Sequence, residues 1–224
     1  MVGMDEIVAD AMLFDLDGTL VDSFELSARW WQRWARQTGL DWDAIAGHVR
    51  GRTAREALRD LLPDRPDDHN DADAASLAHW EETSVHLMRA TVGAADLLTG
   101  LPPDRWAVVT TSNRVQATTR LRAAGLPVPA VLVTADDVRN LKPDPEGYLL
   151  AATALGTKPA DCVVIEDSTT GMRAGLAAGA TVLAVGGGAR AHEDVVRIRC
   201  LTDIRLTLDE ADPALLIRLP HASR

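Results

Sequence analysis

Four short stretches carry side chains able to do chemistry, and each follows an apolar run. The first is Asp15-Leu16-Asp17-Gly18-Thr19. Two carboxylates two residues apart can face one cleft, and the glycine lets the backbone turn beneath them. Alone, such a string also fits a plain turn. The second is Thr110-Thr111-Ser112-Asn113. Hydroxyls and amides at a helix start suit an anion, or simply an N-cap. The third is Lys142, flanked by Leu141 and Pro143, a cation held in place by its neighbours. The fourth is Glu166-Asp167, where adjacent carboxylates offer oxygen ligands to a hard cation or form an acidic turn. The combination is more specific than any part: an anion-holding hydroxyl and lysine, with two carboxylate pairs beside them.

Those residues need elements that bring them together. Short Val- and Ile-rich runs at 11–14, 106–110, 130–133, 162–165 and 181–185 predict buried strands of a parallel sheet covered on both faces. Helical patterns at 113–124, 145–155 and 170–178 lie between them, each followed by glycine. In the first, Val115, Thr118, Leu121 and Arg122 set the helical spacing. Strand and helix in alternation predict a doubly wound α/β fold with its ligand at the carboxyl ends of the strands. The stretch 23–92 breaks the rhythm. Helices are expected at 24–38, 53–62 and 71–90, with Trp30, Trp31 and Trp34 as core residues rather than functional ones. The expected organisation is therefore a core of 1–22 and 93–224 with a helical insertion at 23–92. Residues 195–208 are expected to add one short strand.

The bulk numbers exclude some classes. With 224 residues, 46% hydrophobic and 25% charged, the chain is an ordinary globular one, long enough to bury its own core. A net charge of −10 supplies no basic stripe, which argues against nucleic acid as partner. A small anion remains compatible, because a few local cations can reverse the field inside one cleft. Cys162 and Cys200 are read as reduced thiols. Without a basic leader or a long apolar run, the expectation is a cytoplasmic protein with no membrane partner.

In motif order, the sequence resembles the haloacid dehalogenase superfamily in its phosphatase branch. The residues that carry the likeness are Asp15-Leu16-Asp17-Gly18-Thr19-Leu20-Val21-Asp22-Ser23, Thr110, Lys142-Pro143-Asp144-Pro145 and Glu166-Asp167 with Gly171. The helical insert is similar to the helical-cap subfamily. Trp106–Val109 with Thr110, Thr134-Ala135-Asp136-Asp137-Val138 and Glu146-Gly147-Tyr148 resemble phosphatases of sugar and polyol phosphates. The resemblance implies a Rossmann-like core under an α-helical cap, with a small phosphorylated metabolite as substrate. It implies that Asp15 is the nucleophile and forms an aspartyl-phosphate, and that Asp17 carries the proton. Mg²⁺ would be held by Asp15, the Asp17 carbonyl and Asp167, with Glu166 auxiliary. Thr110, Thr111 and Lys142 would hold the phosphoryl oxygens. Arg50 and Arg52 are candidates for reading the leaving group. Monomer and homodimer both stay open. The alternatives are a phosphosugar mutase, in which the place of a helpful cap histidine is taken here by Ser27, and a non-catalytic ligand-binding protein of the same fold.

Overall fold

The computed structural model describes residues 4–49, 53–186, 194–208 and 214–220. The chain opens with strand β1 (Met4–Ala9), bends at Asp10 and runs directly into β2 (Ala11–Phe14). After a loop comes a two-residue strand, β3 (Val21–Asp22), and then four helices. These are α1 (Phe24–Thr38), α2 (Trp42–Val49), α3 (Ala54–Leu61) and α4 (Asp67–Thr83). The chain returns through β4 (Arg89–Ala90), which pairs antiparallel with β3. This two-stranded stem is where the helical insert leaves and re-enters the sheet-bearing part. Then follow α5 (Ala94–Thr99), β5 (Trp106–Val109), α6 (Arg114–Ala123), β6 (Val131–Val133) and α7 (Glu146–Ala154). The rest is β7 (Cys162–Glu166), α8 (Thr169–Ala177), β8 (Thr181–Val185), β9 (Val196–Ile198), β10 (Arg205–Leu208) and β11 (Leu215–Pro220).

The main sheet has the order β6-β5-β2-β7-β8-β9, and every pair in it is parallel. Strand alternation divides its side chains between two cores. Met12, Phe14, Trp106, Val108, Val163 and Ile165 enter one; Leu13, Ala107, Val109, Cys162 and Val164 enter the other. With both faces covered, the strands read as continuous apolar runs, which is why they were visible in sequence. Burying one such Leu, Ile or Phe contributes about 1.5–3 kcal/mol. β2 sits at the middle. The chain builds outward from it to β5 and β6 on one side, and to β7, β8 and β9 on the other. The carboxyl end of β2 is thus the point where the winding reverses, the place where such sheets open a crevice.

The insert has its own apolar centre. Trp30, Trp31 and Trp34 lie 5.2–6.3 Å apart between ring centroids and pack with Ile45, Leu58 and Leu77. The indole nitrogens are satisfied: Trp30 donates to Ser76 and Trp34 to Asp73. Core use of these tryptophans is as expected.

Several expectations need correction. The helix expected at 71–90 starts earlier, at Asp67 after Pro66, and stops at Thr83; a short 3₁₀ turn at Val85–Leu87 and β4 follow. Its acidic first turn, with Asp67 and Asp68, favours the earlier start. On α6 the buried face is Ala117 and Leu121, and Val115 is 77% exposed. The tail forms two strands within 195–208, not one. Sheet-forming segments at both ends were missed. β1, β11 and β10 form a separate antiparallel sheet that packs Leu215, Ile217 and Leu219 into the main core. α2 and α5 were missed as well.

Candidate active site

Asp15 is the first residue beyond β2, and its amide still bonds to the Ile165 carbonyl of β7. The loop after it is tightly turned. Gly18 adopts φ +90°, and its Val21-directed amide bond closes the turn that leads into β3. Any side chain at 18 would lie 2.0 Å from Asp167 Oδ2, so only glycine lets the β2 loop and the β7 loop close on each other. The helical insert therefore hangs on the same loop that carries Asp15 and Asp17. Thr91, at its return, donates its hydroxyl to the Thr19 carbonyl at 2.6 Å.

Lys142 reaches this point from the loop before α7. The carboxylate of Glu146 grips that loop by accepting from the amides of Arg139 and Asn140. The Lys142 ammonium donates to Asp15 Oδ1 at 2.6 Å, to the Val109 carbonyl at 2.9 Å and to Glu166 Oε1 at 2.6 Å. An ammonium has three donors, and all three are used. Burial alone would depress it, but the charges of Asp15 and Glu166 outweigh burial and hold Lys142 well above its ordinary value. It is a fixed cation.

Glu166, at the end of β7, is fully buried. Its Oε1 also accepts from the Tyr148 hydroxyl at 2.8 Å, and its Oε2 accepts from the amide and hydroxyl of Ser168. Burial and the Glu166 charge push the Tyr148 phenol well above its ordinary value, which keeps it a donor. Gly171 in α8 makes room for this carboxylate, because a Cβ there would lie 1.7 Å from Oε1. Glu166 thus has four donors of its own and acts mainly as a buried charge beside its neighbours.

Asp15, Glu166 and Asp167 offer oxygens that all lie within 4.8 Å of one another. Burial, then repulsion from Glu166, raise Asp15 well above the ordinary carboxylate range; the same two causes raise Asp167 to about 7. Crowded, desolvated carboxylates with only oxygen donors fit a hard divalent cation, which would relieve that repulsion. Thr110 is buried, and its Oγ1 accepts from the Ser112 amide at 3.1 Å, so its own hydrogen is left to donate. Thr111 is exposed beside it at the cleft. The start of α6 is not an open anion site. Asn113 caps the Gln116 amide, and Asp136 accepts from the Arg114 amide at 2.8 Å. The cleft that joins Asp15, Asp17, Thr110, Lys142 and Asp167 has a volume of ≈ 890 Å³ and runs under the insert to Val49 and Thr53.

Asp17 is held differently. Its Oδ2 accepts from Arg120 Nη1 at 2.6 Å and from Ser112 Oγ at 3.2 Å. Its Oδ1 is buried without a partner among the described residues. Arg120 and Tyr148 are contacts that sequence reasoning missed. Arg120 sits on a helix far along the chain from Asp17, and no spacing links them. Tyr148 stands in a motif already noted, yet nothing local shows that its hydroxyl reaches Glu166. Arg50 and Arg52 lie outside the described residues.

Residues 12–185 match the family of haloacid dehalogenase-like hydrolases. The chain belongs to that family. It is 39% identical over 214 residues to hexitol phosphatase A of Escherichia coli, covering 93% of this chain and 94% of that one. It is 33% identical to 2-deoxyglucose-6-phosphate phosphatase 1 of Saccharomyces cerevisiae, with 81% and 82% covered. Among solved structures, a HAD family hydrolase from Deinococcus radiodurans, with bound phosphate and sodium, is similar with a TM-score of 0.65 and 34% identity. That likeness covers 79% of this chain and 80% of the other. The relatives are sugar and polyol phosphatases of the family, and this chain is a hydrolase of the phosphatase type. Among the described residues no helix is long and apolar enough to cross a membrane.

Proposed function

We propose that this protein is a Mg²⁺-dependent phosphomonoesterase acting on a small sugar or polyol phosphate, with residues 23–92 as its cap. The observation that carries the reading is the placement of Asp15 at the sheet's reversal point, bonded to Lys142 and within reach of the Asp167 and Glu166 oxygens. Asp15 attacks phosphorus and the bond to the leaving oxygen breaks. Asp17 gives that oxygen a proton. Water then attacks the aspartyl-phosphate, Asp17 takes a proton back, and the phosphorus–Asp15 bond breaks to free phosphate. Splitting one hard hydrolysis into two steps is the gain from a covalent nucleophile. Lys142 and the Thr110 hydroxyl face the oxygens of the transferring group, with Thr111 at the same edge, and stabilise charge that spreads over them. Asp15, the Asp17 carbonyl and Asp167 would hold Mg²⁺, which when bound screens the repulsion between nucleophile and phosphate. Glu166 supports the site through Lys142.

The names of the relatives support a polyhydroxylated leaving group. The mutase alternative gains nothing from Ser27, whose hydroxyl is donated to Glu81 at 2.5 Å. The test is release of inorganic phosphate with Mg²⁺ from a panel of hexitol, hexose, glycerol and glycolate phosphates. Release is expected from the sugar and polyol esters. Asp15→Asn should lower it by more than about a thousandfold, as loss of a nucleophile does. An Asp15→Asn protein as active as the parent, or no release from any ester, overturns the reading.

A further inference from the structure

The contact that the mechanism above leaves unused is Arg120. It lies on α6, with its side chain 14% exposed, and it forks. One arm, Nη1, bonds Asp17 Oδ2 at 2.6 Å and Ser112 Oγ at 3.0 Å. The other, Nη2, faces Glu81 Oε2 of α4 across 3.8 Å. Glu81 in turn accepts from Ser27 of α1. A chain of polar contacts thus runs from the proton carrier, through a helix of the sheet-bearing part, to two helices of the insert.

An arginine that only neutralised a carboxylate would find its best geometry in a paired fork on both oxygens. Arg120 takes one oxygen and spends its other arm on the insert. A carboxylate is planar, so fixing Oδ2 fixes the direction of Oδ1; Asp17 lines the cleft, and its Oδ1 is a buried oxygen without a hydrogen-bond partner among the described residues. We propose that Arg120 is the positioning residue of Asp17, holding Oδ2 so that Oδ1 is the atom that gives and takes the proton, and that Glu81 and Ser27 are the insert's grip on this setting. This rests on the phosphatase reading above.

The test separates leaving groups. The best alkyl phosphate of the panel needs a proton on its alkoxide; p-nitrophenyl phosphate releases its phenolate without one. With Mg²⁺ present, Arg120→Ala should lower kcat on the alkyl ester by about a hundredfold, the lower range of general acid–base contributions. KM should stay within about threefold, since binding is not what is removed. The first turnover of p-nitrophenyl phosphate, read as a burst, should slow by less than about fivefold. Arg120→Lys should recover part of the loss, because lysine brings the charge but cannot fork. Glu81→Gln should lose up to about tenfold with the same leaving-group signature. Equal slowing with both leaving groups, or a kcat for Arg120→Ala within about twofold of the parent on the alkyl ester, overturns the assignment. If Arg120→Ala does not fold, the same ratio in Arg120→Lys and Glu81→Gln decides. A parent protein that cleaves neither ester removes the phosphatase reading and this inference with it; a parent that cleaves both while the variants keep its ratio removes this inference alone.

Discussion

Glu166 and Asp17 are carboxylates at one cleft, and the protein holds them in opposite ways. Glu166 is buried with four donors, from Lys142, Tyr148 and Ser168, and all of them come from the sheet-bearing part. Asp17 has one oxygen tied and one without a partner, and its tie leads on to the insert. The first arrangement is a rigid mould, because a fully buried carboxylate is costly unless hydrogen bonds satisfy both of its oxygens. The second leaves one atom uncommitted, as an atom must be if it is to exchange a proton. On the proposed mechanism, the difference separates a group that shapes the field from a group that does chemistry in it.

The mould should break most visibly at Gly171. Gly171→Ala places a methyl 1.7 Å from Glu166 Oε1, so the carboxylate must leave its donors. Disrupting a buried charged network costs about 3–5 kcal/mol. For a chain of this size that corresponds to a Tm lowered by roughly 6–20 °C in a thermal melt. Phosphatase activity should fall with it, since Lys142 loses an anchor. The same substitution at Gly47, inside α2 with open space around it, should instead stabilise by up to about 1 kcal/mol. Equal melts for the two variants would show that Glu166 is not tightly moulded.

The acidic cluster gives the next effect. Folding raises the Asp167 carboxyl from 3.8 to about 7, so the cation-free folded state binds more protons than the unfolded chain between those values. That contribution to stability is whole below pH 3.8 and is lost as pH rises to about 7. A divalent cation needs the ionised form and competes with the proton. Added Mg²⁺ should therefore raise Tm more at about pH 8 than at about pH 5.5, and Asp167→Asn should flatten the difference. An equal Mg²⁺ shift at both pH values would sink this account of the cluster.

How much of this could be read from sequence follows the same division. The strand ends that carry Asp15, Thr110 and Glu166-Asp167 were legible because a parallel sheet buried on both faces writes itself as short apolar runs; Lys142 arrives instead from the loop between β6 and α7. The order of those strands, with β2 central, comes from the structure, because a doubly wound sheet admits more than one order. The insert was legible as helical and its first helix, 24–38, was legible in place, but the bounds of its last helix were not. The change from α4 to β4 at 83–89 is set by pairing with β3, which no local pattern reveals. β1 and β11 were missed because they stabilise each other across the whole length of the chain. In the site, the acids were readable as a set, while their donors were not. Tyr148 and Arg120 do their work through side-chain reach in the folded state, and neither spacing nor residue type marks them.

The smallest and sharpest comparison deletes one hydroxyl from each carboxylate. Tyr148→Phe removes a 2.8 Å donor from Glu166 while keeping the ring that lies 5.0 Å from the Lys142 ammonium. Both partners are buried, so nothing replaces the bond, and a hydrogen bond to a charged group is worth about 1.5–3 kcal/mol. Ser112→Ala removes a 3.2 Å donor from Asp17 Oδ2, where Arg120 remains at 2.6 Å. That loss should be about 0.5 kcal/mol, the low end for a long bond at a half-buried site. Urea unfolding of the two variants measures the difference directly. A ranking with Tyr148→Phe clearly below Ser112→Ala is what a mould beside an uncommitted group requires. The reverse ranking would mean that stability is invested at Asp17, and that Arg120 braces the fold there rather than aiming a proton.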